Sequence, residues 1–121
     1  MFITKVFTFD AAHHLPNYQG KCKNLHGHTY KLEVTLSGEL ERTSGMLIDF
    51  AKLKKIVKED VLKEMDHAYL NDILKNPTAE NLINLIWKKL DLNISKQKKD
   101  IFLYELKLWE TPTSYVILRS N

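Results

Sequence analysis

Two histidines two residues apart, His26 and His28, stand at the entrance of a segment that alternates apolar and polar residues. In an extended strand, residues two apart point to the same face. Two imidazoles on one face can grip a single tetrahedral ion. His13 follows an earlier apolar segment, after Ala11 and Ala12. If those two segments form a hairpin, the end of the first lies beside the start of the second, and His13 joins the pair. Three neutral nitrogens with an open fourth position is the arrangement of a catalytic zinc, and imidazole suits zinc better than magnesium or calcium. His14 adjoins His13 and is expected to face the other way. Scattered polar loop residues are the plainer reading of any one histidine. H-x-H with a third histidine in a facing position favours the metal.

Cys22 lies four residues before His26 and is the only cysteine, so the chain cannot close a disulfide on itself. The residues leave three roles open for it: a fourth ligand closing a structural site, an acid–base or nucleophilic thiolate beside an open site, or a small loop residue. A nearby cation favours the thiolate in either of the first two.

These residues have to be held by elements that are visible in the patterning. Phe2 to Phe9 is rich in β-branched and aromatic residues and predicts a strand. From Thr29 to Gly38, Tyr30, Leu32, Val34 and Leu36 occupy one face and Lys31, Glu33, Thr35 and Ser37 the other, a half-buried strand. Asp49 can cap a helix running to about Met65, with Leu53, Ile56, Val57, Val61 and Met65 inward. Pro77 and Thr78 open a second helix through about Leu90. Ile101 to Glu110 and Ser114 to Arg119 predict two more strands around a turn at Pro112. Glu110 shares the parity of Phe102, Tyr104, Leu106 and Leu108, so it is expected to end a core-facing row. The order ββααββ predicts an α+β fold: an antiparallel four-stranded sheet with two helices on one face. The edges of such a sheet call for a partner copy.

The chain has 121 residues, which fits one domain spanning 1–121, with 44% hydrophobic and 27% charged residues. A net charge of +3 is too small an excess to require a nucleic-acid partner, and no apolar run is long enough for a membrane span. No secretory signal is evident, so a cytoplasmic location is expected.

Six segments together carry a family resemblance: FTFDAAHHLP (7–16), CKNLHGHTY (22–30), GMLIDFAKL (45–53), DHAYLND (66–72), NPTAEN (76–81) and WET (109–111). In this order and spacing they resemble the 6-pyruvoyltetrahydropterin synthase family and, within it, the 6-carboxytetrahydropterin synthases of queuosine biosynthesis. The resemblance implies the tunnelling fold, trimers whose sheets join into a barrel, and hexamers of two trimers with active sites between subunits. It implies Zn2+ on His13, His26 and His28, with Cys22, Asp66 and His67 catalytic. Glu110 would anchor the pterin and Glu80 support substrate binding. The implied reaction is that of a lyase acting on 7,8-dihydroneopterin triphosphate, releasing triphosphate and acetaldehyde. The short Cys22–His26 loop resembles the carboxy type, although Ala68 stands where that type often has a second histidine. One alternative is a pyruvoyl synthase, which keeps the side chain. Another is a non-catalytic zinc module in which Cys22 closes the site.

Overall fold

The computed structural model describes residues 1–121. Strands β1 (Phe2–His13) and β2 (His26–Gly38) form a long antiparallel hairpin. Helix α1 (Phe50–Val57) passes through a π-helical turn (Lys58–Leu62) into α2 (Lys63–Met65), and the four junction residues Val57, Lys58, Leu62 and Lys63 keep right-handed helical angles. A two-residue strand β3 (Ala68–Tyr69) follows, then α3 (Ala79–Ile94), β4 (Ile101–Thr111) and β5 (Ser114–Arg119).

The sheet order is β3-β1-β2-β4-β5. This corrects the expected antiparallel four-stranded sheet. Ala68 and Tyr69 pair parallel to Ala11 and Ala12, which makes the sheet five-stranded and mixed. Two residues carry no alternation that a sequence pattern could reveal. They pair because the helical segment delivers the chain beside the open edge of β1. Below that bridge the edge of β1 is unpaired within the chain, as is the outer edge of β5.

Apolar periodicity explains the layering. Tyr30, Leu32, Val34 and Leu36 on β2 are fully buried. Against them lie Leu53, Ile56, Val57, Val61 and Met65 from the first helical segment, and Leu82, Ile83, Ile86, Leu90 and Ile94 from α3. The other sheet face is polar and aromatic, with Trp109 and Tyr115 in contact at 4.2 Å and Lys31 lying 4.3 Å from the Trp109 ring.

Two further expectations are revised. Both strands of the hairpin extend past their predicted ends, β1 to His13 rather than Phe9 and β2 from His26 rather than Thr29. The inward row of β4 is also not continuous: Ile101 and Leu103 point to the core, then Leu106 and Leu108, while Phe102 is exposed. Leu103 pairs with Leu36 but Glu105 pairs with Thr35, so Tyr104 is an extra residue that resets the alternation.

Both helix caps follow the sequence signals. The Asp49 carboxylate accepts from Ala51 N–H, and the Thr78 hydroxyl oxygen accepts from Asn81 N–H at 3.1 Å. Thr78 adjoins Pro77, whose carbonyl meets His13, so this cap fixes a wall of the site as well as a helix end. Thr78→Ala is expected to destabilise the chain by about 1 kcal/mol in urea denaturation. No change would show that the cap is dispensable.

Candidate metal centre and adjoining acidic–histidine pair

Strand register gathers the histidines. His13 stands directly opposite His26, and His28 opposite Ala11, all at one end of the hairpin. His13 is completely buried, while His26 and His28 are partly buried. One nitrogen from each of the three rings lies within 4.8 Å of the others.

The hydrogen bonds fix which nitrogens these are. His13 Nδ1–H donates to the Pro77 carbonyl at 2.8 Å, and His26 Nδ1–H donates to the Asn24 carbonyl at 2.7 Å. A carbonyl can only accept, so in the neutral rings both Nε2 atoms are bare lone pairs. Those two Nε2 atoms are 3.1 Å apart. Two acceptors at that distance repel unless a proton or a cation lies between them. His28 Nε2 is buried with no hydrogen-bond partner. Two convergent lone pairs oriented by backbone carbonyls, with the unpartnered nitrogen of His28 beside them, form a donor set that fits Zn2+, whose histidine ligands typically donate their other ring nitrogen in this way.

Electrostatics keeps His28 available. Burial lowers its affinity for a proton; Glu110 opposes this, and His13 and His26 reinforce it. Tyr30, beneath the rings with its hydroxyl 3.5 Å from His13 Nδ1, is pushed well above its ordinary range, first by burial and then by Glu110. It is a neutral phenol.

Glu110 closes the cluster from β4. Its carboxylate oxygens lie 3.9 Å from His13 Nε2 and 4.0 Å from His28 Nε2. Glu110 continues the inward row of Leu106 and Leu108. A second irregularity lies at this point: Trp109 pairs with Tyr115 and Thr111 with Ser114, which leaves Glu110 outside the β4–β5 ladder. Bulges of this kind re-aim side chains beside active sites.

Asp66 and His67 form a separate group. His67 Nδ1 is 3.0 Å from Asp66 Oδ1. Adjacent side chains ordinarily diverge, but His67 has φ +63°, a left-handed conformation that turns the two together. Holding a non-glycine residue there costs roughly 1–2 kcal/mol. The pair is clamped to β1, where Asp10 N–H donates to Asp66 Oδ1 at 3.1 Å and His67 N–H donates to the Asp10 carbonyl at 2.6 Å. The Asp10 carboxylate accepts from the Thr29 hydroxyl. Asp10 and Thr29 have the opposite parity to His13 and His28. Asp66 and His67 therefore group with Asp10 rather than with the three rings, and His67 lines a cavity of about 440 Å3 whose wall includes Asp10, Thr29 and His28.

Cys22 sits partly buried in a 3-10 turn (Lys21–Lys23), where its carbonyl accepts from Leu15 N–H at 2.8 Å. Its thiol is not among the converging ligand atoms. Glu80 is exposed in the first turn of α3. His14 does face away from His13, with its Nδ1 2.7 Å from the Tyr69 hydroxyl. The residues that sequence reasoning missed are the ones that orient the others: Asp10, Thr29, Pro77 and Asn24. Three of these four, Asp10, Pro77 and Asn24, act through backbone carbonyls, which leave no signature in residue type.

No helix is long and apolar enough to cross a membrane. A two-layer sheet-and-helix chain with three converging imidazole nitrogens beside a carboxylate defines the class: a compact α+β protein with a histidine-rich centre at one end of its sheet. The chain belongs to the 6-pyruvoyl tetrahydropterin synthase family, which it matches over residues 2–121. It is 38% identical to the 6-carboxy-5,6,7,8-tetrahydropterin synthase of Haemophilus influenzae, covering 93% of this chain and 94% of that protein. It is 43% identical to a dihydroneopterin monophosphate aldolase of Pyrococcus furiosus over 85% of this chain and 83% of that protein. The solved structure of Caenorhabditis elegans 6-pyruvoyl tetrahydropterin synthase superposes with a TM-score of 0.88 at 33% identity, covering 100% of this chain and 96% of that one.

The depressed proton affinity of His28 has a consequence for stability. The unfolded chain takes up a proton near the ordinary 6.5, while the folded chain resists it. Stability present above that pH is therefore lost as pH falls through the folded value. Urea denaturation of the metal-free protein at about pH 7.5 and about pH 5.5 should show this loss, and His28→Gln should reduce it. An equal loss in both proteins would assign the effect elsewhere.

Proposed function

We propose that this chain is a zinc-dependent 6-carboxy-5,6,7,8-tetrahydropterin synthase acting on 7,8-dihydroneopterin triphosphate. The observation that carries this reading is the convergence of three imidazole Nε2 atoms beside the Glu110 carboxylate. The carboxy reaction is preferred because the relative at 38% identity over nearly the whole chain bears that name. The short loop from Cys22 to His26 points the same way.

In this reading His13, His26 and His28 hold Zn2+, and residues 1–121 serve as one unit. When bound, the ion supplies Lewis acidity toward the hydroxyl oxygens of the pterin side chain. Glu110 accepts two hydrogen bonds from the ring N–H and amino group of the pterin, a planar donor pair that a carboxylate can bridge. Cys22 as thiolate removes a proton from a side-chain carbon, and His67, oriented by Asp66, moves the proton at the neighbouring oxygen. Triphosphate leaves, and hydrolytic cleavage of the remaining side chain consumes one water, whose oxygen stays in the 6-carboxyl while the other fragment departs as acetaldehyde. Glu80 supports substrate binding from the start of α3, three residues beyond the Pro77 carbonyl that orients His13.

The grouping of Asp66 and His67 with Asp10, in a cluster distinct from the three rings, supports an oligomer in which one copy's pair serves another copy's histidines. A hexamer of two trimers would use the open edges of β1 and β5. Queuosine biosynthesis in the cytoplasm is the setting this activity implies.

Incubating the zinc-loaded protein with 7,8-dihydroneopterin triphosphate should yield 6-carboxytetrahydropterin and acetaldehyde. A 6-pyruvoyl product without acetaldehyde would favour the alternative, and no turnover would leave a zinc-binding module. Cys22→Ala should keep zinc and lose about 10²–10⁴-fold in turnover, the usual contribution of an acid–base group. Zinc lost in step with activity would make Cys22 a ligand instead.

A further inference from the structure

The π turn Lys58–Leu62 gathers charge as well as bending a helix. Lys54 and Lys58 are four apart and share a helical face. In an unbroken α-helix, Lys63, five residues past Lys58, would stand roughly 140° away around the axis. Here the Lys63 N–H donates to the Lys58 carbonyl, the wider loop of a π turn, and Lys63 comes back toward Lys58. Lys54, Lys58 and Lys63 line one cavity of about 680 Å3, which Phe7 and Leu62 complete on the apolar side. Asp66, the partner of His67, lies on its rim, and Glu59 is its one other carboxylate.

None of these three lysines is in a close ion pair, and they outnumber the two carboxylates of the cavity. The ion pairs that lysine and arginine make in this chain are Lys89–Glu64, Lys98–Glu41 and Arg119–Glu105. Lys5 adds a fourth free ammonium on the same edge, 5.9 Å from the Phe7 ring and 6.0 Å from the Phe50 ring. Like charges one helical turn apart repel. An irregular turn that aligns repelling cations around a cavity is poor design for stability and good design for an anion, and π turns recur at functional sites.

We propose that Lys54, Lys58 and Lys63 form a polyphosphate subsite that holds the phosphate tail of the pterin served by Asp66 and His67. The inference rests on the pterin phosphate reading above. Three lysines around one cavity suit a chain of phosphates better than one phosphate, because a triphosphate ester carries more negative charge than a monophosphate. The position beside Asp66 is where a tail would lie if its pterin side chain meets His67.

The test uses the full chain and inorganic tripolyphosphate as the probe, with orthophosphate as a control. Calorimetry should detect tripolyphosphate binding to the wild type in preference to orthophosphate. The triple variant Lys54→Gln/Lys58→Gln/Lys63→Gln should weaken it by at least about tenfold. Lys88→Gln/Lys96→Gln/Lys99→Gln removes the same charge elsewhere and should leave it unchanged. With 7,8-dihydroneopterin triphosphate, the first triple variant should raise KM with little change in kcat, and the KM for the monophosphate should rise less. Equal affinity in wild type and the first variant, or an equal loss in both variants, would overturn the subsite. So would binding of a nucleic-acid oligonucleotide that depends on the same lysines and excludes tripolyphosphate. Lysine-dependent tripolyphosphate binding without pterin turnover would keep the subsite and remove the pterin reading. Turnover with an unchanged KM in the first variant would do the reverse.

Discussion

Two imidazole nitrogens 3.1 Å apart, each stripped of its proton because the far side of its ring donates to a backbone carbonyl, repel one another. The hairpin register leaves them no escape: His13 and His26 are directly opposite on paired strands, and His13 is wholly buried. A third nitrogen, on His28, is buried without a hydrogen-bond partner beside them. Unsatisfied polar atoms of this kind weigh against folding. The arrangement makes physical sense when a positive charge occupies the common focus. The rest of the chain can be understood as what holds that focus in place. Fully buried Tyr30, Leu32, Val34 and Leu36 lock β2 to the helices, and the Thr78 cap holds the Pro77 carbonyl against His13.

Around this centre the regular geometry breaks in three places, each with a chemical group attached. The β4–β5 ladder skips Glu110, and its carboxylate reaches toward His13 and His28. His67 adopts a left-handed conformation, and its ring meets Asp66. The helix widens into a π turn, and three lysines face one cavity. Local departures from ideal geometry concentrate where function is placed, because the surrounding core can bear their cost. Here the supporting core is the continuous apolar layer between sheet and helices.

The layered architecture was legible because alternation along β2 and the helical stripes of α1 and α3 are strong, long signals. The histidine cluster was legible for a related reason: strand parity puts His26 and His28 on one face, and a hairpin brings His13 to them. What escaped was short or backbone-borne. β3 has two residues, too few for a period. The extra residue at Tyr104 reversed the parity on which the inward placement of Phe102 relied. Its effect on Glu110 was hidden because Leu106 and Leu108 lie beyond the reset and share the parity of Glu110. The carbonyls of Pro77 and Asn24, which orient two of the rings, could have come from any residue type. The position of Asp66 and His67 beside Asp10 depends on a parallel bridge and a positive φ, neither written in residue spacing.

X-ray absorption at the zinc edge of the loaded protein addresses the centre most directly. The account predicts one zinc per chain with three imidazole nitrogens at about 2.0–2.1 Å, a light atom in the remaining position and no sulfur. A sulfur neighbour at about 2.3 Å would place Cys22 on the metal and turn an open site into a closed structural one. Failure of the protein to bind zinc at all would contradict the reading of the three converging nitrogens.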